Sequence, residues 1–203
     1  MAADNELQIT FFVTAVAVSA KLGLVLKEAK NISLEAMNAK ALVARAGENV
    51  RTFKPITDYM VELAEDTVRL VEEINGEALK ISRSSLTALR GREAVVHFNR
   101  AKEKSRGAMY HNSYGGVVVD AEKRLQKYQQ DLNRNINRLN ELLEEIETRM
   151  LAANVVTSTS RLEAATVSAA YRGNFESIVA KFERAAKNIR ATVQMCRKML
   201  KKR

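Results

Sequence analysis

Apolar residues in the first 46 positions recur in alternating steps of four and three. Phe11, Ala15, Val18, Leu22, Val25, Ala29, Ile32, Ala36, Ala39, Val43 and Ala46 are all apolar, against 12 of the other 25 residues in that span. A 3–4 repeat held this long predicts one helix whose seam packs knobs-into-holes against partner helices. Alanine at five of the seam positions lets a neighbouring helix come close. Gly47 then stands where a helix C′ glycine belongs. Thr52 is placed to cap the next helix, and Pro55 falls in its first turn, where proline is tolerated.

The second helix carries the seam Phe53, Ile56, Met60, Leu63, Thr67, Leu70 and Ile74; the seam weakens through Gly76 and Gly91, but the helix continues to about Lys104. The stretch from Ser105 to Gly116, with three glycines among polar and aromatic residues, reads as a loop. A third helix is expected from about Val118, with the seam Leu125, Tyr128, Leu132, Ile136, Leu139, Leu143, Ile146 and Met150. "NVVTSTS", Asn154 to Ser160, reads as the next turn, with Ser160 and Glu163 as a capping box. Phe175, Ile178, Phe182, Ala185, Ile189 and Cys196 form the seam of the last helix. No period-2 alternation occurs.

The predicted fold is all-α: an elongated antiparallel four-helix bundle made of two long coiled-coil hairpins, residues 1–105 and 106–203. The turns at Gly47 and at Asn154 to Ser160 should share one end. The Ser105 to Gly116 loop and both termini should share the other.

Composition agrees with long elements, since 203 residues hold eight Gly and one Pro. A lone Cys196 excludes an internal disulfide and fits a reducing, cytoplasmic setting. The longest apolar stretch, Ile9 to Ala20, is too short to span a bilayer, and the acidic Asp4 and Glu6 before it do not suit a secretory signal. The net charge of +9 is uneven: residues 181–203 hold nine basic residues and one acid. That end is read as a solvated helix terminus of little weight in folding. Catalytic constellations are missing. Two histidines, His97 and His111, and one cysteine do not make a metal site, and no glycine-rich phosphate loop follows a strand. No enzyme activity, metal or cofactor is expected.

"MNAKALVARAGENVRTF", Met37 to Phe53, adds something more specific. Within Ser33 to Ala64, the residues Ala36, Asn38, Ala39, Ala44 to Glu48, Arg51, Phe53, Leu63 and Ala64 resemble, without a gap, the cytoplasmic tip of the methyl-accepting chemotaxis receptors. The resemblance covers about 32 residues. Leu42, Val50, Thr52, Pro55, Tyr59 and Val61 depart from the family pattern.

The resemblance implies an antiparallel hairpin whose tip binds the chemotaxis histidine kinase, its coupling protein or other receptor tips, as a signalling or adaptor module. It implies receptor contacts at Asn38 and Arg45, and coupling-protein contacts at Phe53, Pro55 and Ile56. Arg45, Glu48 and Arg51 are expected to supply charged contacts around the Gly47 turn, with Phe53 as a half-exposed apolar anchor. A homodimer is compatible with this reading. The competing expectations are a helical rod that binds nucleic acid or anionic membrane through Lys181 to Arg203, and a purely structural coiled coil.

Overall fold

The computed structural model describes residues 2–107, 109 and 114–201, with the side chains of 2–9, 11, 48, 49 and 114 left aside. Phe11, Glu48 and His111 therefore offer no side chain for comparison with the expectations above, and Lys202 and Arg203 lie outside the described residues. Four α-helices occur among the described residues: α1 (Ala2–Ala46), α2 (Phe53–Lys104), α3 (Tyr114–Thr166) and α4 (Ala169–Lys201). A short 3-10 turn, Gly47–Val50, joins α1 to α2. No strand occurs among the described residues.

The helices are shared between two compact units, neither of which follows the hairpin boundary at residue 105. One unit takes Val18–Asn75 and Asn140–Lys202, and so contains parts of all four helices. The other takes Met1–Ala17 and Gly76–Leu139, and draws its described helices from α1, α2 and α3 alone.

The four-helix unit is an antiparallel bundle. Across each pair of neighbours, residue numbers rise on one helix as they fall on the other. Ser19 bonds Asn75 and Lys40 pairs with Asp58 between α1 and α2. Glu35 meets Lys181 and Glu28 meets Asn188 between α1 and α4. Arg161 meets Glu183 and Glu144 meets Arg197 between α3 and α4. Arg149 of α3 pairs with Asp66 of α2. Each helix therefore has two antiparallel neighbours.

The core follows the seams. Every seam residue of α1 from Ala15 to Ala46 is buried, most of them completely. Phe53, Met60, Leu63, Thr67, Leu70 and Ile74 of α2 are buried too, and Phe175, Phe182, Ile189 and Cys196 of α4 close the other side. Burial pushes the Cys196 thiol up to about 11, so at neutral pH it is a neutral core residue and not a nucleophile.

Three expectations need correction. First, Asn154 to Ser160 is not a turn. Helix α3 runs through it, and the reversal comes at Val167 and Ser168. The hydroxyl side chains bond back to their own helix: Thr157 to the Asn154 carbonyl (2.8 Å), Ser158 to the same carbonyl (2.9 Å), Thr159 to Val155 (3.0 Å) and Ser160 to Val156 (2.6 Å). Met150, Ala153, Thr157, Ser160, Ala164 and Val167 are all buried, so the 3–4 seam continues through the segment with small and hydroxyl residues. No capping box forms. The end of α3 is instead met by Arg172, whose guanidinium donates to the carbonyls of Ala165 (3.1 Å) and Val167 (3.2 Å), groups that a helix terminus leaves unsatisfied.

Second, α3 begins at Tyr114, so Gly115 and Gly116 are helical. Third, the basic end is docked. Leu200 is buried, and Arg197 reaches both Glu144 and Glu147 of α3.

The three-helix unit is closed less completely. Ala78, Ile81 and Ala88 of α2 and Leu132, Ile136 and Leu139 of α3 are buried in it. From residue 89 to 104 on α2, and from 119 to 131 on α3, no residue is fully buried, although Leu125 and Tyr128 belong to the expected seam of α3.

Candidate functional site at the first hairpin turn

The turn itself is built as the sequence requires. Gly47 has φ of 60°, the left-handed conformation in which a Cβ is strained and which ends α1 at Ala46. The chain then makes the 3-10 turn and re-enters helix at Phe53, with the Lys54 amide donating to the Arg51 carbonyl (3.2 Å). Beneath this turn lies a cluster of Val43, Ala46, Val50, Phe53, Ala164, Val167 and Phe175, with Leu42, Ile56 and Tyr171 packed against it. The Gly47 turn and the Val167–Ser168 turn therefore share one end of the four-helix unit, with the second turn later in the chain than expected.

The cluster divides the anticipated site in two. Phe53 is 1% exposed, and its ring stacks on Phe175 with centroids 4.0 Å apart and planes at 26°. It is a core residue that joins the two hairpins, not a half-exposed anchor. Ile56 is half-buried against the same cluster. Asn38, Arg45, Gly47, Arg51 and Pro55 are exposed. The side chain of Glu48 lies outside the described residues. The 2.7 Å Lys40–Asp58 pair crosses from α1 to α2, and the lysine's hydrogen bond holds the Asp58 carboxyl below its ordinary range against the opposing effect of desolvation.

Two exposed apolar side chains were missing from the anticipated set. Leu34 and Met37 are 59% and 54% exposed. Leu34, Met37, Asn38, Ala41 and Arg45 follow helical spacing, so they line one face of α1. Beside Leu34 and Met37 a groove of about 480 Å³ opens toward α2, where Val68, Arg69 and Glu72 form its other wall. The signal was present in the sequence: nearly half of the non-seam residues of α1 are apolar, more than a helix with one buried stripe needs.

Elsewhere, the basic terminal helix is largely engaged within its own unit. Lys181 pairs with Glu35, Lys187 with Glu183, and Arg190 and Arg197 with Glu147. Among the described residues no group of histidine, cysteine and carboxylate side chains has the arrangement of a metal site, and no helix is long and apolar enough to cross a membrane. Comparison with family models, with characterised proteins and with solved structures finds no match for this chain.

Proposed function

We propose that the first hairpin turn is a protein-docking surface of the chemoreceptor-tip kind, which engages a chemotaxis histidine kinase, its coupling protein or receptor tips, and that the protein works as a signalling adaptor without catalysing a reaction. The observation that carries this reading is the exposed face of α1. Leu34 and Met37 stand in solvent on the same face as Asn38 and Arg45, while the opposite face of the helix is already sealed by the bundle core. Folding does not require apolar groups there, and an interface does: apolar anchors ringed by polar and charged groups are the usual anatomy of a docking patch. The match of Asn38, Arg45 and Arg51 to the receptor-tip pattern gives the partner class. The core position of Phe53 moves the apolar anchor of this reading to Met37 and Leu34.

The test uses purified coupling protein and kinase against the full chain. Wild type is expected to bind at least one of them saturably. Met37→Glu combined with Arg45→Glu alters only exposed side chains. It should weaken binding at least about tenfold, the scale of a lost interface anchor, with an unchanged thermal midpoint. Absence of binding by wild type, or full binding by the variant, overturns the proposal.

A further inference from the structure

The three-helix unit carries a second surface of different character. Residues 76–139 hold thirteen basic residues and six acidic ones, an excess larger than that of any comparable stretch before α4. Lys80 pairs with Glu77 and Arg134 with Asp131, each with a neighbour on its own helix. Within this basic region α2 and α3 enclose a groove of about 420 Å³. Its floor is small and apolar, with Gly91, Ala94 and Ala121 flanked by Phe98 and Tyr128, and two arginines, Arg90 and Arg124, stand exposed along it against one acid, Asp120. A Cβ on Gly91 would come within 3.3 Å of the Tyr128 ring, so the glycine lets that ring lie close to the α2 backbone.

The four-helix unit shows how this chain completes such a groove. There α4 supplies an apolar seam, Phe182 and Ile189, and basic side chains that meet the acids Glu35, Glu144 and Glu147 on α1 and α3. The described residues of α4 all belong to the four-helix unit. We propose that the α2–α3 groove of the three-helix unit receives an acidic amphipathic helix from a partner protein, with the sign of the complementarity reversed. The open stretch of α2, residues 89–104, would take a helix of about 16 residues, roughly 24 Å at 1.5 Å per residue.

Charge and chemistry select this occupant. A second copy docked about a two-fold axis would set the same basic excess against itself. A nucleic acid would use the arginines but has no need of an apolar floor, because its affinity comes from phosphate contacts. An amphipathic helix uses both features at once: its apolar face lies in the groove and its flanking carboxylates meet Arg90 and Arg124.

The test measures fluorescence anisotropy of labelled probes with the full chain. The main probe is an 18-residue helical peptide with leucine on one face and glutamate elsewhere. Its controls are the same composition with the leucines scrambled off that face, the peptide with lysine for glutamate, and an 18-base-pair DNA duplex. The proposal expects saturable binding of the first peptide alone, weakened by salt. It also expects Arg90→Glu with Arg124→Glu to reduce affinity at least about tenfold, as charge reversal at a complementary interface does. Ala94→Glu should do the same from the floor, with circular dichroism confirming retained helix. No saturable binding of the acidic amphipathic peptide, equal binding of the scrambled peptide, or tighter binding of the duplex overturns it.

Discussion

The two units share the helices α1, α2 and α3, yet they bury them to different degrees. In the four-helix unit every described seam position of α1 is buried, and aromatic residues from two hairpins stack under the turn. In the three-helix unit Leu125 and Tyr128 of the α3 seam, and Phe98 of α2, are only partly buried. The lesson is that a seam states which face of a helix is apolar. Only the number of helices packed around it decides whether the face is closed. The difference also separates stability from the recognition proposed above: closed seams hold the fold, and the open groove is the surface proposed to take a partner.

The largest test of this contrast is the same substitution made in both units. Ala39→Asp puts a carboxylate at a position that is 1% exposed among apolar neighbours. It should cost about 4 kcal/mol or more, because a buried charge without a partner must be desolvated or protonated. Ala94→Asp, on the half-exposed floor of the other unit, should cost less than about 1 kcal/mol, as surface changes do. Urea unfolding midpoints decide the matter, and equal costs would break the comparison.

A smaller effect is expected from aromatic truncation. Phe53→Ala removes the stack on Phe175 and should cost about 3 kcal/mol through lost burial and the cavity left behind. Phe98→Ala should cost less, about 1–2 kcal/mol, since part of its ring is never withdrawn from water. Thermal melts of the two variants rank them, and a Phe98 variant as damaged as the Phe53 one would show that the groove is part of the core.

The smallest effect concerns pH. Glu147 accepts hydrogen bonds from Gln194 and Arg197, and these hold its carboxyl below the ordinary 4.5, Gln194 most strongly, against the opposing cost of burial. Glu183, bonded to Lys187, is lowered in the same way. A carboxyl with a depressed folded value binds fewer protons when folded than when unfolded. Its contribution is therefore present above pH 4.5 and is lost as pH falls through the folded value. Stability of the four-helix unit should fall on acidification below about pH 4.5, the ordinary carboxyl value cited above. Glu147→Gln should flatten that limb by less than about 1 kcal/mol, within the range of partly exposed pairs. An acid limb unchanged in the variant would show that the network carries no linkage.

Most of the fold was legible because repeats are local. The seams of α1 and of α2 up to Ile74, the Gly47 break and the absence of strands needed only the order of residues. The turn after α3 was misplaced because Thr and Ser have two uses. Their hydroxyls can cap a helix start or bond back within a helix, and nothing between Asn154 and Ser160 says which. The continued spacing of Thr157, Ser160, Ala164 and Val167 held the answer, but only for a reader who admits hydroxyl residues into a seam.

The candidate site was half legible. The exposed residues Asn38, Arg45, Arg51 and Pro55 were placed by likeness to a known tip, and the structure leaves them on the surface. Phe53 was misread because an aromatic residue beside a turn looks the same in sequence whether it faces solvent or another ring. Phe175, 122 positions later, settles its environment. Leu34 and Met37 were hidden for the converse reason, since in an apolar-rich helix the excess stripe cannot be told from the core stripe until the neighbours are counted.

What the sequence by itself determined is the set of properties that depend on neighbours three and four residues away: helix, seam and the glycine stop. Tertiary structure alone decided which seams are closed, which hydroxyls continue a helix, and which basic residues of α4 find acids. Those outcomes depend on residues brought together from distant parts of the chain, and burial and charge pairing are properties of that meeting and not of either partner.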